Sequence, residues 1–279
     1  MIDMNEIHRR SETILDEYQE SAEELQEKYW HQVLRSEKEL ERDEAAVLRL
    51  LETAGQGGEY SNAAQGSRDL ASLIDHTLLK PEATGSDIQQ LCKEAVSHGF
   101  AAVCVNPVYV PYCVELTEGS GVQVATVVGF PLGANRRMIK ADEAAKAVQD
   151  GAGELDMVIN LGALKSRNYE QVFEDIQAVV QASERVPVKV ILETSLLTDE
   201  EKVKGSLLAS EAGADFVKTS TGFSKGGATV ADVTLMRVSV KRNCGVKAAG
   251  GIRNKEQALN MLRAGATRIG TSSGISMVE

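Results

Sequence analysis

The sequence predicts an α/β protein, a (β/α)8 or TIM barrel preceded by an α-helical N-terminal extension. Eight short β-branched runs alternate with amphipathic stretches after residue 70. Neighbouring runs start roughly 20 to 33 residues apart, the period of a β–α unit. Both faces of each run are apolar, as in a parallel sheet covered on both sides. A doubly wound sheet is the second choice, but eight evenly spaced units suit closure better.

The extension is set apart by composition. Residues 1–66 hold 16 Asp+Glu and 7 Lys+Arg, against 25 and 23 in residues 67–279, so most of the net charge of −11 lies in the extension. The stretch AGQGGEYSNAAQGS (54–67) reads as a flexible linker and divides 1–66 from a barrel domain at 67–279. Residues 6–53 contain neither Gly nor Pro, which favours helix. Leu15, Tyr18, Ala22, Leu25 and Tyr29 form one thin apolar stripe, and Leu40, Val47 and Leu51 resume it beyond Gln32 and Ser36. The expectation is a helix or helical hairpin packed on its own barrel or on a sister subunit. Docking on a scaffold or compartment is the alternative, and an autonomous coiled coil is disfavoured by its polar a/d positions.

The strands expected in order are ASLIDHT (71–77), AAVCVNP (101–107), VATVVGF (124–130), LDMVIN (155–160), VKVILET (188–194), DFVKTST (215–221), VKAAGG (246–251) and TRIGTSS (267–273). Four helices end in a glycine turn before a strand: HGFAAVC, DGAGELD, AGADFVK and AGATRIG. Five residues on from Gly99, Gly151, Gly213 and Gly265 stand Cys104, Asp156, Lys218 and Gly270, on strands two, four, six and eight. Alternate strands share a layer in such a barrel, so these four positions are expected to converge near its C-terminal mouth.

Composition bounds the function. No apolar run approaches the ~18 residues that span a bilayer, and the start lacks a secretory apolar core, so a soluble cytoplasmic protein without a membrane partner is expected. The acidic balance argues against nucleic acid. Cys92, Cys104, Cys113 and Cys244 follow no zinc or disulfide spacing, and the four histidines are scattered. Neither a metal nor another cofactor is expected.

Lys218 (FVKTSTG) and Lys247 (VKAAGG) lie on adjacent strands in apolar context. Burial and like charge both favour a neutral amine on at least one of two such lysines, and a neutral amine is what Schiff-base chemistry uses. Asp156 supplies a carboxylate to pair with the second lysine or move protons; a structural ion pair is the alternative. Asp75, Thr77 and Lys189 are candidates for a supporting proton network. His76 reads first as a hydrogen-bonded structural histidine, and Lys189 with Glu193 as a supporting pair on one strand face. Cys104 is a candidate thiol near the site, although most such cysteines are plain core residues. The segments TSTGFSKGG (219–227), AGGIR (249–253) and GTSSG (270–274) follow late strands, where barrels hold phosphates. Gly222, Gly250, Gly251, Arg253, Gly270, Ser272 and Ser273 are the candidate phosphate-binding residues, with Lys225 a further charge.

From about residue 70 onward the chain resembles the deoxyribose-phosphate aldolase family. The motifs that carry this are IDHTLLKP (74–81), VCVNP (103–107), VVGFPLG (127–133), ELDMVIN (154–160), KVILET (189–194), FVKTSTGF (216–223), VKAAGGIR (246–253) and GTSSG (270–274), in order. The resemblance implies a metal-independent Schiff-base lyase of deoxyribonucleotide catabolism. Such an enzyme reversibly cleaves 2-deoxy-D-ribose 5-phosphate to acetaldehyde and D-glyceraldehyde 3-phosphate. It further implies that Lys218 forms the imine, with Lys247 and Asp156 as activating partners. The expected partners are a small-molecule sugar phosphate and further copies of the chain in a homo-oligomer. The rivals are a Schiff-base barrel for a longer sugar phosphate, a metal-dependent aldolase, and a scaffold built on a degenerate barrel. The family pattern does not include residues 1–66.

Overall fold

Eight parallel strands close into a barrel, in chain order, in the computed structural model, which describes residues 3–29 and 70–279. The linker at 54–67 and the stripe residues Leu40, Val47 and Leu51 lie outside the described residues, as do the side chains of Tyr18, Ala22, Leu25 and Tyr29. The strands are β1 (Ile74–Leu78), β2 (Ala102–Val105), β3 (Gln123–Val128), β4 (Glu154–Val158), β5 (Val188–Ile191), β6 (Phe216–Lys218), β7 (Gly245–Ala249) and β8 (Arg268–Thr271). After the N-terminal helix α1 (Met4–Tyr29), the helices between strands are α2 (Gly85–His98), α3 (Val110–Thr117), α4 (Arg137–Gln149), α5 (Leu161–Lys165), α6 (Tyr169–Ala182), α7 (Asp199–Glu211), α8 (Val230–Ser239) and α9 (Lys255–Arg263). A short α10 (Ile275–Val278) follows β8. Among the described residues no helix is long and apolar enough to cross a membrane.

Each helix entry and exit is written locally. Thr84 and Thr198 open α2 and α7 with capping boxes that use Asp87 and Glu201, tying up amides the first turn leaves unpaired. Gly99, Gly151, Gly213 and Gly265 all have positive φ, between 64° and 101°, a conformation that side chains with a Cβ resist. The recurring glycine turn is therefore the device that ends a helix and starts the next even-numbered strand in a fixed register.

Outward-facing strand residues such as Val103, Leu155, Val190, Val217 and Ile269 form the main apolar core with the helices. Inside the barrel, Leu79, Ala102, Cys104, Ala125 and Val127 make a small apolar cluster on the β1–β3 side. The rest of the interior, β4–β8 together with Asp75 of β1, is charged instead.

Helix α1 packs on the barrel's own surface. Ile7, 1% exposed, joins Val203, Leu207 and Leu235 of α7 and α8, with Met4, Ile14 and Leu15 beside it. Arg10 Nη1 reaches Glu211 Oε1 at 2.7 Å, and the His8 ring packs edge-on to Tyr169 at 5.7 Å between centroids. Fully burying an isoleucine contributes about 2–3 kcal/mol, so this residue anchors the extension. Ile7→Asp is expected to undock α1. Limited proteolysis should then trim the extension faster while leaving residues 70–279 intact.

Candidate active site

The interior of a barrel is normally filled by stacked aliphatic side chains. Here four cations, Lys189, Lys218, Lys247 and Arg268, meet three carboxylates, Asp75, Glu154 and Asp156, in one connected cluster. Strand register brings them together. Asp156 pairs with Lys189 across β4 and β5, Lys218 with Lys247 across β6 and β7, and Asp75 with Gly270 across β1 and β8.

Asp156 is the hub. Its Oδ2 accepts from Lys218 Nζ and from Lys247 Nζ, both at 2.8 Å, and its Oδ1 accepts from Lys189 Nζ at 2.8 Å. Lys247 also ion-pairs with Asp75 Oδ2, while Lys189 reaches Glu154 Oε2 at 2.5 Å. Arg268 Nη1 closes the far end, 2.7 Å from Asp75 Oδ1 and 3.1 Å from both Glu154 oxygens, with its guanidinium over the Phe216 ring. Gly270, expected on strand eight and also among the phosphate-binding residues, lies in β8 facing this cluster. A Cβ there would come 2.9 Å from Lys247 Cε, so its lack of a side chain makes room for the lysine.

Burial alone would raise the Asp75 carboxyl, but Lys247, Lys189 and Arg268 outweigh it and hold it at about 2. Burial likewise opposes ionisation of Asp156, and Lys189, Lys218 and Lys247 drive its carboxyl well below the ordinary range. Burial would discharge Lys247, but Asp156 and Asp75 overcome that and keep it firmly cationic. Lys189 is raised by the same balance of burial against carboxylates, Asp156 foremost. Burial and then Asp156 push the Cys104 thiol up, so it is a neutral neighbour 4.0 Å from Asp156 Oδ2.

These shifts have a stability consequence. In the unfolded chain the aspartates take up protons near pH 4, which the folded chain refuses until lower pH. Stability from Asp75 is therefore fully present above pH ~4 and is lost as pH falls from about 4 towards 2, and Asp156 contributes in the same direction. Asp75 alone accounts for about 2 kcal/mol of it; Asp175, whose carboxyl burial raises, offsets a part. Denaturant melts across pH 2–6 should show this decline.

The other predicted residues divide into rim and wall. Thr77 sits at the β1 end with its hydroxyl donating to the Asp75 carbonyl at 2.9 Å. His76 points outward, where Nε2 meets Glu94 Oε2 at 2.7 Å beside Phe100, a structural setting. Glu193 does not pair with Lys189. Strand β5 stops at Ile191, and Glu193 adopts φ 57° and ψ 60°, so the two-residue alternation assumed from sequence ends before it. Its carboxylate accepts instead from the Thr221 hydroxyl and amide. Gly222, Gly250 and Gly251 have φ of 85°, 96° and 79° in loops after β6 and β7. These loops are tied together: the Thr219 hydroxyl donates to Ala249 O at 2.8 Å, and Ala228 N donates to Gly250 O at 3.0 Å. The Thr271 hydroxyl accepts from Ser273 N at 2.9 Å and donates to Ile252 O at 2.8 Å, joining the β7 and β8 loops. Ser272, Arg253 and Lys225 are exposed on this side of the mouth.

Sequence reasoning missed Arg268 and Glu154. Both were findable, since each stands two residues before an inward position already identified, Gly270 and Asp156, and side chains alternate along a strand. Among the described residues no group of three or more His, Cys, Asp or Glu is arranged to hold a metal ion.

A family model described as DeoC/LacD family aldolase matches residues 70–277. A deoxyribose-phosphate aldolase of Macrococcus caseolyticus is 58% identical over 211 residues, covering 76% of this chain and 96% of the relative. Deoxyribose-phosphate aldolase 1 of Bacillus licheniformis is 58% identical over 214 residues, again 76% of this chain and 96% of the relative. The solved structure of the tetrameric deoxyribose phosphate aldolase of Aeropyrum pernix superposes with a TM-score of 0.73 at 36% identity, over 83% of this chain and 95% of its own.

Proposed function

The chain belongs to the DeoC/LacD family of aldolases, and we propose that it cleaves 2-deoxy-D-ribose 5-phosphate reversibly through an imine on Lys218. The observation that supports this most strongly is the convergence of the Lys218 and Lys247 amines on one buried oxygen, Asp156 Oδ2. Four cations against three carboxylates leave one positive charge in excess, and the cluster balances when Lys218 is the free amine. The free amine adds to C1 of the open-chain sugar and loses water, giving a protonated imine. The C3 hydroxyl then gives up its proton, the C2–C3 bond breaks, and its electrons flow into the imine to form an enamine. Glyceraldehyde 3-phosphate leaves. Protonation at C2 and addition of water release acetaldehyde and restore the amine. In this reading Asp156 and Lys247 carry these protons, Asp75 and Lys189 support them, and Thr77 stands at the rim.

The phosphate falls to the loops after β6, β7 and β8, with Gly222, Gly250, Gly251, Ser272, Ser273 and Arg253 as its side of the mouth. Ser273→Glu is expected to raise KM for the phosphorylated sugar by ~10-fold or more through charge repulsion while sparing condensation of acetaldehyde with itself. The two activities measured side by side check this. The reading also includes self-association, since the Aeropyrum pernix relative is tetrameric, and a reducing cytoplasmic setting, which the four free, buried thiols favour. Product analysis with deoxyribose 5-phosphate, with and without EDTA, tests the reaction itself. Acetaldehyde and glyceraldehyde 3-phosphate in equal amounts, insensitive to the chelator, are the expected result.

A further inference from the structure

We propose that Arg268 and Glu154, on the floor of the barrel, are positioning residues that set the pH at which Lys218 becomes a nucleophile. The inference rests on the imine reading above and deepens it. Neither residue touches Lys218. Each acts through the chain of contacts that runs from Arg268 to Asp75, from Asp75 to Lys247, and from Lys247 through Asp156 Oδ2 to Lys218.

Arg268 occupies one Asp75 oxygen and leaves the other for Lys247, which fixes the Asp75 carboxylate between two cations. Glu154 divides its carboxylate between Arg268 and Lys189. Removing the Glu154 charge adds one uncompensated positive charge to an interior that has one in excess whenever Lys218 is protonated. Removing the Arg268 charge cancels that excess. The charged or titratable groups of the barrel interior linked to Lys218, directly or through Asp156, are Asp75 from β1, Cys104 from β2, Asp156 and Glu154 from β4, Lys189 from β5, Lys247 from β7 and Arg268 from β8. From β3 the inward neighbour is the apolar Val127.

The two substitutions therefore act with opposite sign. In Arg268→Gln the protonated Lys218 amine is better tolerated, so imine formation begins at higher pH. In Glu154→Gln, an isosteric change, the amine loses its proton more readily, so imine formation begins at lower pH. A buried charge acting through two or three such contacts moves the onset by roughly one pH unit. Arg268→Lys keeps the charge and should keep the wild-type onset.

The experiment is the rate of borohydride-trapped adduct on Lys218, formed with acetaldehyde, measured from pH 5 to pH 10 in the wild type and the three variants. Melting curves on the same samples report folding. Opposite displacements for the two glutamine variants, with KM for deoxyribose 5-phosphate changed less than kcat, support the proposal. Coincident profiles, or displacements in the same direction, overturn it. If Arg268→Gln does not fold, Glu154→Gln carries the test alone, and an onset unmoved or moved upward overturns the proposal. A wild type that traps no adduct at any pH contradicts the imine reading itself, and so fails in a distinguishable way.

Discussion

Lys218→Ala is expected to abolish cleavage of deoxyribose 5-phosphate, lowering kcat by roughly 10^4-fold or more, with the fold intact. A nucleophile removed from a covalent mechanism leaves only binding and electrostatics, which retain a small part of the rate. The stability expectation follows from the charge count. Lys218 shares its one carboxylate oxygen with Lys247, and Asp156 keeps Lys189 and Lys247 when Lys218 is gone. No carboxylate is left uncompensated, so the melting temperature should stay near that of the wild type or rise. Steady-state assay together with calorimetry checks both halves. An inactive but unfolded variant would contradict the second.

Lys247→Leu is the opposite case, with a large effect on stability as well as on rate. Its amine is fully buried between Asp75 and Asp156, and both carboxyls lose a main cause of their ionised state. Taking one partner from a buried ionic cluster costs about 3–5 kcal/mol. The reaction should slow by roughly 10^2- to 10^4-fold, the range for loss of a placed proton carrier. Imine formation should survive at high pH, where the Lys218 amine is free without help from a neighbouring cation. Denaturant unfolding at pH 7 and adduct formation at pH 7 and 10 measure these effects. Near-normal turnover at pH 7 would remove Lys247 from the electrostatic role given to it here.

The barrel was legible because its period is written twice, in the β-branched runs and in the glycine turns. Gly99, Gly151, Gly213 and Gly265 place Cys104, Asp156, Lys218 and Gly270 by simple counting, and the first three do meet around Asp156 Oδ2. Gly270 shows the limit of that method: the count found the position, but not that a side chain there would meet Lys247 Cε, which no spacing reveals. Arg268 and Glu154 were passed over because charged residues near strand starts usually face water. Only closure of the barrel turns them inward. Glu193 was misassigned because alternation was carried two residues past the end of β5, where the backbone turns into the left-handed region. In the extension, the stripe identified a helix, but packing on α7 and α8 begins earlier, at Met4 and Ile7, where the helix meets Val203, Leu207 and Leu235.

The central claim is that Lys218, not Lys247, carries the covalent intermediate. Borohydride reduction of the wild-type protein in the presence of deoxyribose 5-phosphate, followed by peptide mass mapping, tests it most directly. The account predicts a two-carbon adduct on the peptide that contains Lys218, formed equally with EDTA present. An adduct on Lys247 would exchange the roles of the two lysines, and a fully active protein with no adduct on either would contradict the mechanism.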